Sequence, residues 1–223
     1  HNAEIAQCEC VTGKQFAHYW MHNEHLHISD EKISKSLGNG LIMSDLIERG
    51  YTGDDYRYWL LQTHYRTRAN FSFEALDAAK QALRRLKQLV FVTWKGERGK
   101  LNEERLHTLV AAINDDLDTP KVIALLHDIS KDETLPPGDR KTLLLEADAL
   151  LGIGLSDDPA EGLAKLGLVA IDSLPPEIQT LIDSRQAARA AQNWDESDRL
   201  RDALAIQGYS VKDTPTGPQV HKH

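Results

Sequence analysis

The sequence has few cysteines and no long apolar run. Its only cysteines, Cys8 and Cys10, are two residues apart, and residues at that spacing on a helix do not face each other. A disulfide between them is therefore not expected, and a reducing compartment is indicated. No stretch approaches the roughly 20 apolar residues of a membrane span. We expect a cytoplasmic protein with neither a membrane anchor nor a signal peptide.

An excess of positive charge is also missing. The formal net charge is -8 at pH 7, which argues against a protein that holds nucleic acid by bulk electrostatics. The acidic excess is concentrated in residues 101–174, which carry 6 basic and 15 acidic groups. Residues 1–90 carry 11 of each. Any RNA binding must therefore use local basic patches.

Apolar periodicity and capping signals predict a largely helical chain. Ser72 and Asn102 are predicted to start helices, and Thr119 is predicted to cap another, with Pro120 at its first position. Helices are predicted over 2–13, 45–49, 54–63, 73–93, 102–115, 120–130, 138–151, 176–192 and 194–207, and strands within 16–29 and over 209–213. Glycines and acids in 152–174 indicate an exposed linker with at most one short turn of helix, and the tail after 213 is expected to be irregular.

Several arginines and lysines could contact RNA. Arg66 and Arg68 lie beside Tyr65, which suits phosphate contact and base stacking, or else a junction where the arginines pair with nearby acids. Two further groups are natural candidates for phosphate contacts, although exposed helix charges would look the same. They are Arg84, Arg85 and Lys87 in one helix, and Arg185, Arg189, Arg199 and Arg201 near the C-terminus.

One short stretch carries chemistry of its own, Lys32-Ile33-Ser34-Lys35-Ser36, followed directly by Leu37-Gly38-Asn39-Gly40. We call residues 32–36 the Lys loop. Lysine ammonium groups form charge-assisted hydrogen bonds to phosphate. They can stabilise negative charge that develops on phosphate oxygens as a nucleotide bond breaks. A solvated Lys- and Ser-rich turn has the same composition, so the loop by itself leaves both interpretations open.

The wider context resembles a known family. Residues 19–23 (Tyr-Trp-Met-His-Asn), 31–39 (Glu-Lys-Ile-Ser-Lys-Ser-Leu-Gly-Asn) and 64–66 (His-Tyr-Arg) are similar to the C-terminal half of cysteinyl-tRNA synthetases. The resemblance extends along essentially the whole chain. It implies that the Lys loop is the second signature of class I synthetases, with Ile33 in place of the usual Met. That exchange keeps an apolar side chain of similar volume.

The resemblance implies a fold and a domain order. The fold would be mostly α with a small α/β remnant. Residues 1–71 would form the end of a class I nucleotide-binding domain that carries the Lys loop. Residues 72–155 would form a helical anticodon-binding bundle, and residues 175–223 a small C-terminal unit that helps to recognise tRNA.

The implied activity is the ATP-dependent attachment of cysteine to its tRNA through a cysteinyl adenylate. The partners would be tRNA(Cys), cysteine and ATP, and we expect a monomer. Lys32 and Lys35 would act in catalysis, and Lys35, Ser34 and Ser36 would hold ATP. The chain opens on His1, and the first class I signature would lie before it. We therefore expect a piece of a longer protein that is inactive by itself.

Family members also bind a zinc ion that recognises the substrate thiol, and the resemblance assigns one ligand, Glu4, to this chain. From the residues alone, a zinc site on His1, Glu4, Cys8 and Cys10 can also be proposed. On a helix, however, Cys10 points away from the face that carries Glu4 and Cys8. A small buried Cys8 and an incidental Cys10 are the simpler interpretation.

Three residues depart from the family pattern. Asn2 and Ala3 replace Glu-Asn beside the zinc ligand, and Glu24 replaces a glycine close to the ATP adenine. Glu24 would weaken ATP binding if it faced the nucleotide, and would be harmless if it pointed outward. Two alternatives therefore stay open: the cysteine ligase of mycothiol biosynthesis, and a non-catalytic RNA-binding module derived from a synthetase.

Two histidines, His25 and His27, fall on one face of the predicted strand. Such a pair can bind a metal. No cysteine or carboxylate accompanies it at a matching spacing, which favours a solvent-facing strand edge.

Overall fold

The computed structural model describes residues 1–28, 41–94, 96, 98–214 and 217–222, together with the backbone of Glu31 and Lys32. The helices are α1 (Asn2–Thr12), α2 (Met43–Glu48), α3 (Gly53–Leu61), α4 (Phe73–Gln88), α5 (Glu103–Asn114), α6 (Thr119–Lys131), α7 (Pro137–Leu151), α8 (Pro159–Lys165), α9 (Pro176–Ala190) and α10 (Trp194–Ile206). The strands are β1 (Leu26–Ile28), β2 (Glu31–Lys32), β3 (Ala69–Phe71), β4 (Tyr209–Thr214) and β5 (Gly217–Lys222). This confirms the mostly α fold with a small α/β part.

Local capping explains where most helices begin. Ser72 Oγ accepts a hydrogen bond from the N–H of Ala75 at 3.1 Å, and Asn102 Oδ1 accepts one from the N–H of Arg105 at 3.0 Å. Both predicted starts are therefore confirmed. The start of α6 was misplaced by one residue, because Asp118 rather than Thr119 is the cap. A carboxylate accepts from the first free N–H groups of a helix at least as well as a hydroxyl does.

The helices α3 to α7 share one apolar core. The predicted stripe of α4 is buried, belongs to this core and extends into the turn that follows the helix. Its members are Leu76, Ala79, Leu83, Leu86 and Val90. On α3, Tyr58 is fully buried in the same core. The core therefore crosses the predicted boundary at residue 71, which itself stays a prediction. None of the helices described here combines the length and hydropathy that a membrane span requires.

One polar contact lies inside this core, between α3 and α6. Tyr58 Oη and His127 Nε2 are 2.7 Å apart, with the rings nearly perpendicular. Burial raises the pKa of Tyr58 to about 12 and lowers the pKa of His127 below its usual value. Both side chains are therefore neutral near pH 7, and one hydrogen bond joins the tyrosine hydroxyl to the imidazole. A buried polar pair that satisfies its own hydrogen bond fixes how α3 sits on the bundle.

The predicted exposed linker over 152–174 is wrong. Ile153 and Leu155 are fully buried in the bundle core, and Leu166 and Leu168 are buried against Val92. The segment also contains α8 and a short 3₁₀ turn at Ile171–Ser173. Its glycines and acids suggested a solvated loop, but the isolated apolar residues between them are inserted into the bundle.

The C-terminal unit has a separate core. Helices α9 and α10 pack against a hairpin in which β4 and β5 pair antiparallel, with Thr214 opposite Gly217. Val169 joins the outer side of this hairpin by donating its N–H to the carbonyl of Val220 at 2.9 Å. The predicted strand over 209–213 is confirmed. The expected irregular tail is wrong, because its residues form β5.

A five-residue π-helical turn, Leu89–Thr93, follows α4, and its Phe91 packs against α8. The ring of Phe91 lies where a Cβ on Gly162 would be, with its Cε1 only 2.5 Å from that position. Only a glycine therefore fits at this point of α8.

We predict that Gly162→Ala destabilises the chain by about 1–2 kcal/mol in a urea unfolding experiment, because the added methyl overpacks the contact with Phe91. At a solvent-facing helical position the same exchange stabilises by roughly 1 kcal/mol. Gly53→Ala is the matched control, since nothing lies within 4 Å of its Cβ position. It should be neutral or stabilising. A stabilising Gly162→Ala would show that the close contact does not exist.

Candidate functional site

A small sheet leads into the Lys loop. Its central strand β1 pairs in parallel with β3 and antiparallel with β2, where His27 lies opposite Lys32. Lys32 is described in its backbone alone. Ser34, Lys35 and Ser36 lie outside the residues that the structure describes. The assignment of all four residues to ATP binding and catalysis therefore stays a prediction.

The two histidines before the loop do not lie on a sheet edge, so that prediction is wrong. His27 belongs to the central strand of the described sheet, and His25 precedes the strand and is exposed. The parallel partner β3 follows β1 by about forty residues. The local sequence around His27 does not indicate that β3 pairs with its strand.

The proposed zinc residues lie at the N-terminal helix. Glu4 is exposed on α1. Within the described ranges, no three or more histidine, cysteine or carboxylate side chains are arranged to hold a metal ion. These residues therefore do not make a zinc site on their own. Glu4 as one member of a larger ligand set stays a prediction.

The two cysteines take no part in a metal cluster among the described residues. Cys8 is half-buried and Cys10 is exposed. The expectation of a buried Cys8 is therefore wrong, since α1 has no buried residue. Exposed apolar residues continue beyond the helix, including Tyr19 at 95% and Met21 at 61% exposure.

Three consecutive residues before β3 converge on one aspartate, Asp116, in the turn between α5 and α6. Tyr65 Oη donates to Asp116 Oδ1 at 2.6 Å, and Arg66 Nε lies 2.7 Å from Oδ2. His64 Nε2 lies 2.9 Å from the backbone carbonyl of the same residue. The hydrogen bond from Tyr65, reinforced by Arg66, holds the pKa of Asp116 below its usual value. Of the two interpretations for this segment, the structure favours a junction for Arg66.

The turn that carries Asp116 is strained. Asp116 and Leu117 have φ values of 53° and 57°, and two successive non-glycine residues in the left-handed region are uncommon. The contacts from residues 64–66 hold this conformation in place. Beside it lies a cleft of about 450 Å³ between the sheet and the bundle. Its lining includes Leu117, Tyr56, Leu61 and Glu24.

Glu24 is turned toward its own backbone. Its N–H donates to the carbonyl of Tyr65 at 2.9 Å, and its carboxylate accepts from the N–H of His25 at 2.9 Å. That second hydrogen bond lowers the pKa of Glu24. The side chain is exposed and lines the cleft described above, so its effect on ATP binding stays a prediction.

The basic residues of α4 are largely structural. Lys87 is buried and donates to Asp54 Oδ2 of α3 at 2.6 Å. Arg84 is half-buried and donates through Nη2 to the carbonyl of Leu166 at 2.8 Å. Arg85 alone of the three is exposed. The prediction that Lys87 is an exposed cation of this helix is therefore wrong. Arg84 is engaged at the C-terminal end of α8 through the carbonyl of Leu166.

Arg185 is likewise unavailable to RNA. It is 4% exposed and forms a bidentate ion pair with Asp213 of β4, with both N–O distances at 2.8 Å. These hydrogen bonds lower the pKa of Asp213 to about 2. Gln186 Nε2 and Arg189 Nε also contact the Asp213 carboxylate, at 3.1 and 3.3 Å. The pair fixes α9 to the hairpin.

An exposed tryptophan, Trp194, lies beside Arg189 at the start of α10. Trp194 is 55% exposed, and the Arg189 guanidinium lies 5.4 Å from the centre of its ring. Arg199 and Arg201 are 72% and 53% exposed and pair only with acids of their own helix. The position of Trp194, directly after the helix cap, was the available sign that it precedes the packed part of α10.

We predict that Arg185→Met destabilises the chain by about 2–3 kcal/mol, because the partly buried Asp213 loses its bidentate partner and keeps only the longer contacts from Gln186 and Arg189. Urea unfolding followed by circular dichroism measures the change. Arg199→Gln is the control, and it should alter stability by no more than about 0.5 kcal/mol, since its ion pair is exposed. Equal effects of the two exchanges would contradict the structural role of Arg185.

Comparison with known proteins gives two family matches within the chain. Residues 1–81 match the model described as the tRNA synthetases class I (C) catalytic domain. Residues 171–220 match the cysteinyl-tRNA ligase anticodon binding domain. The first contains the Lys loop and the sheet around it, and the second contains Trp194 and the arginines of α9 and α10.

Curated relatives match over the length of the chain. A cysteine–tRNA ligase of Protochlamydia amoebophila is 34% identical over 233 residues, which is 100% of this chain and 48% of the relative. The cysteine–tRNA ligase of Chlamydia felis is 35% identical over 100% of this chain and 48% of the relative. Cysteine–tRNA ligase 1 of Burkholderia lata is 36% identical over 99% of this chain and 44% of the relative. The chain spans about half the length of the curated relatives it matches.

Proposed function

Because the chain belongs to the cysteinyl-tRNA synthetase family, we propose that it supplies the ATP loop and the tRNA-binding parts of an enzyme that attaches cysteine to tRNA(Cys). The observation that carries the proposal is similarity at both ends and along the whole chain to proteins named for that reaction. The fold supports it, because the sheet before the Lys loop is joined to a helical bundle and then to a unit with an exposed aromatic and arginine surface.

The proposed reaction has two steps. The carboxylate of cysteine attacks the α-phosphorus of ATP, which forms cysteinyl adenylate and releases pyrophosphate. A hydroxyl at the 3′ end of the tRNA then attacks the activated carbonyl, and AMP leaves. Negative charge builds up on phosphate oxygens in the first step, and positive groups placed there lower its barrier.

We assign that role to the Lys loop. Lys35 would contact the phosphates, Lys32 would add a second positive charge behind it, and Ser34 and Ser36 would donate hydroxyl hydrogen bonds. Lys32 ends the strand that pairs with β1, so its backbone is anchored by the sheet. Glu4 would supply one carboxylate oxygen to the zinc that selects the cysteine thiol.

The RNA surface that we propose for the C-terminal unit consists of Trp194, Arg189, Arg199 and Arg201. An exposed indole provides a face on which an unstacked base can lie. The three arginines are at least a third exposed, and their ion pairs are with acids of the same unit. Arg185 is excluded from this surface by its burial.

We predict that Trp194→Ala weakens binding of a tRNA(Cys) transcript by roughly 5- to 100-fold, because stacking of one base contributes about 1–3 kcal/mol. Fluorescence anisotropy at a fixed salt concentration measures the affinity. Ile206→Ala is the matched control, since Ile206 is 85% exposed on the same helix. Unchanged affinity for Trp194→Ala would remove the tryptophan from the RNA surface.

We predict that Lys35→Ala, in the protein that carries this sequence, lowers cysteine-dependent ATP–pyrophosphate exchange by roughly 100-fold or more. Lys14→Ala, an exposed lysine of the N-terminal segment, is the control and should leave exchange unchanged. The 223-residue chain alone should show no exchange.

The products of the same assay decide between the functions. Transfer of cysteine to tRNA supports the proposal, and transfer to an amino sugar would indicate a mycothiol-type ligase. RNA binding with no adenylation in the intact protein would indicate a non-catalytic module. Full exchange activity in Lys35→Ala would remove the catalytic role of the loop.

A further inference from the structure

A cavity of about 330 Å³ lies where α4 passes the ends of α2 and α8, and we call it the α4–α8 cleft. Its walls are formed by Gly50, Thr52, Asp55 and Leu83 together with residues 164–167. Four cationic side chains also line it, namely Lys80, Arg84, Lys87 and Lys165. Partly buried positive charges are usually paired with negative groups, so the partners of these four cations are considered in turn.

Two of the four cations are neutralised within the protein. Lys87 donates to Asp54 at 2.6 Å. Lys165 lies 3.1 Å from Asp54, 2.7 Å from Asp157 and 3.3 Å from Glu161. Three carboxylates therefore surround these two ammonium groups, and neither group needs a further anion.

Each of the other two cations donates to a carbonyl, and Lys80 Nζ also lies 4.9 Å from the centre of the Tyr51 ring. Lys80 Nζ donates to the carbonyl of Gly50 at 2.6 Å, and Arg84 Nη2 donates to the carbonyl of Leu166 at 2.8 Å. In the part of the chain that the structure describes, no carboxylate lies within 4 Å of either group. Both side chains are half-buried, so water compensates their charges less well than at an open surface.

These two side chains keep donors to spare. A lysine ammonium has three N–H donors and a guanidinium has five, and one of each is used by its carbonyl. Lys80 and Arg84 are four residues apart on α4 and therefore project from the same side of the helix. They can hold one anion between them.

The acid that lines the cleft does not meet this need. Asp55 is buried, and its Oδ2 accepts from both the N–H and the hydroxyl of Thr52, at 2.8 and 2.9 Å. These hydrogen bonds form the cap at the start of α3. Asp55 is thus committed to its own helix, and among the described residues neither Lys80 nor Arg84 has a carboxylate within ion-pair distance.

We propose that the α4–α8 cleft binds a phosphate group, held by Lys80 and Arg84. Arginine offers paired donors that match two phosphate oxygens, and lysine adds a point charge, so both form charge-assisted hydrogen bonds to it. The phosphate can belong to a small ion or to an RNA backbone. The site is independent of the proposed function, since it uses neither the Lys loop nor the Trp194 surface.

The test is a titration of the full chain with inorganic phosphate by isothermal calorimetry, at an ionic strength held constant with sodium chloride. The wild-type chain should bind saturably. The double variant Lys80→Gln/Arg84→Gln should bind at least tenfold more weakly. The control Lys100→Gln/Lys121→Gln removes the same charge at exposed positions outside the cleft and should bind within about twofold of wild type.

A charge-retaining variant separates binding from folding. Arg84→Lys loses the guanidinium geometry but keeps the positive charge, and it should retain phosphate binding within about fivefold even if the neutral variant is less stable. Circular dichroism verifies that each variant is folded at the temperature of the titration. If Arg84→Lys, folded, binds no better than the double variant, the charge-based proposal is wrong.

Competition with a single-stranded oligouridylate identifies the source of the phosphate. Displacement of inorganic phosphate by the RNA, lost in the double variant, would assign the cleft to an RNA backbone. No displacement would assign it to a free phosphate ion. Absence of saturable phosphate binding in the wild-type chain, or equal binding in both double variants, would overturn the proposal. Trp194→Ala should bind phosphate normally, so failure of the RNA surface is seen separately.

Discussion

The carboxylate of Asp54 joins three separate parts of the chain. It accepts from Lys87 of α4 and from Lys165 of α8, while it belongs to α3. Partial burial raises the pKa of Asp54, but the hydrogen bonds from the two lysines outweigh that effect and bring it below its usual value. Gly154, with φ 76°, passes so close that a Cβ there would lie 2.7 Å from the Asp54 carboxylate. Because α3 also carries Tyr58 into the core and packs Trp59 edge-on against Phe71 of β3, the sheet, the bundle and the segment after it are packed together.

Much of this architecture follows from local sequence. The helices with a polar cap and a regular apolar stripe, such as α4 after Ser72 and α5 after Asn102, could be placed because both signals act within a few residues. The segment 152–174 could not, since the burial of Ile153 and Leu155 depends on a cavity that other helices create. The π-helical turn after Gln88 is of the same kind: it brings Phe91 onto Gly162, and neither residue indicates the other in the sequence.

The roles of several charged residues also depend on partners that are distant in the sequence. Arg185 and Lys87 resemble exposed helix cations in sequence, yet their partners lie 28 and 33 residues away. Arg66 likewise pairs with Asp116 across 50 residues. The Lys loop was found from its residue types and its resemblance to a family, a kind of signal that does not depend on distant partners.

The charge distribution explains why the proposed RNA surface centres on an aromatic side chain. Residues 101–174 carry 15 acidic and 6 basic groups, so the middle of the chain repels a phosphate backbone. In the C-terminal unit, Arg185 is buried and Arg199 and Arg201 are each close to an acid, which reduces their net attraction for phosphate. Stacking does not depend on net charge. Binding of RNA at this unit should therefore weaken less with rising salt than binding through several unpaired cations, since few counter-ions are released.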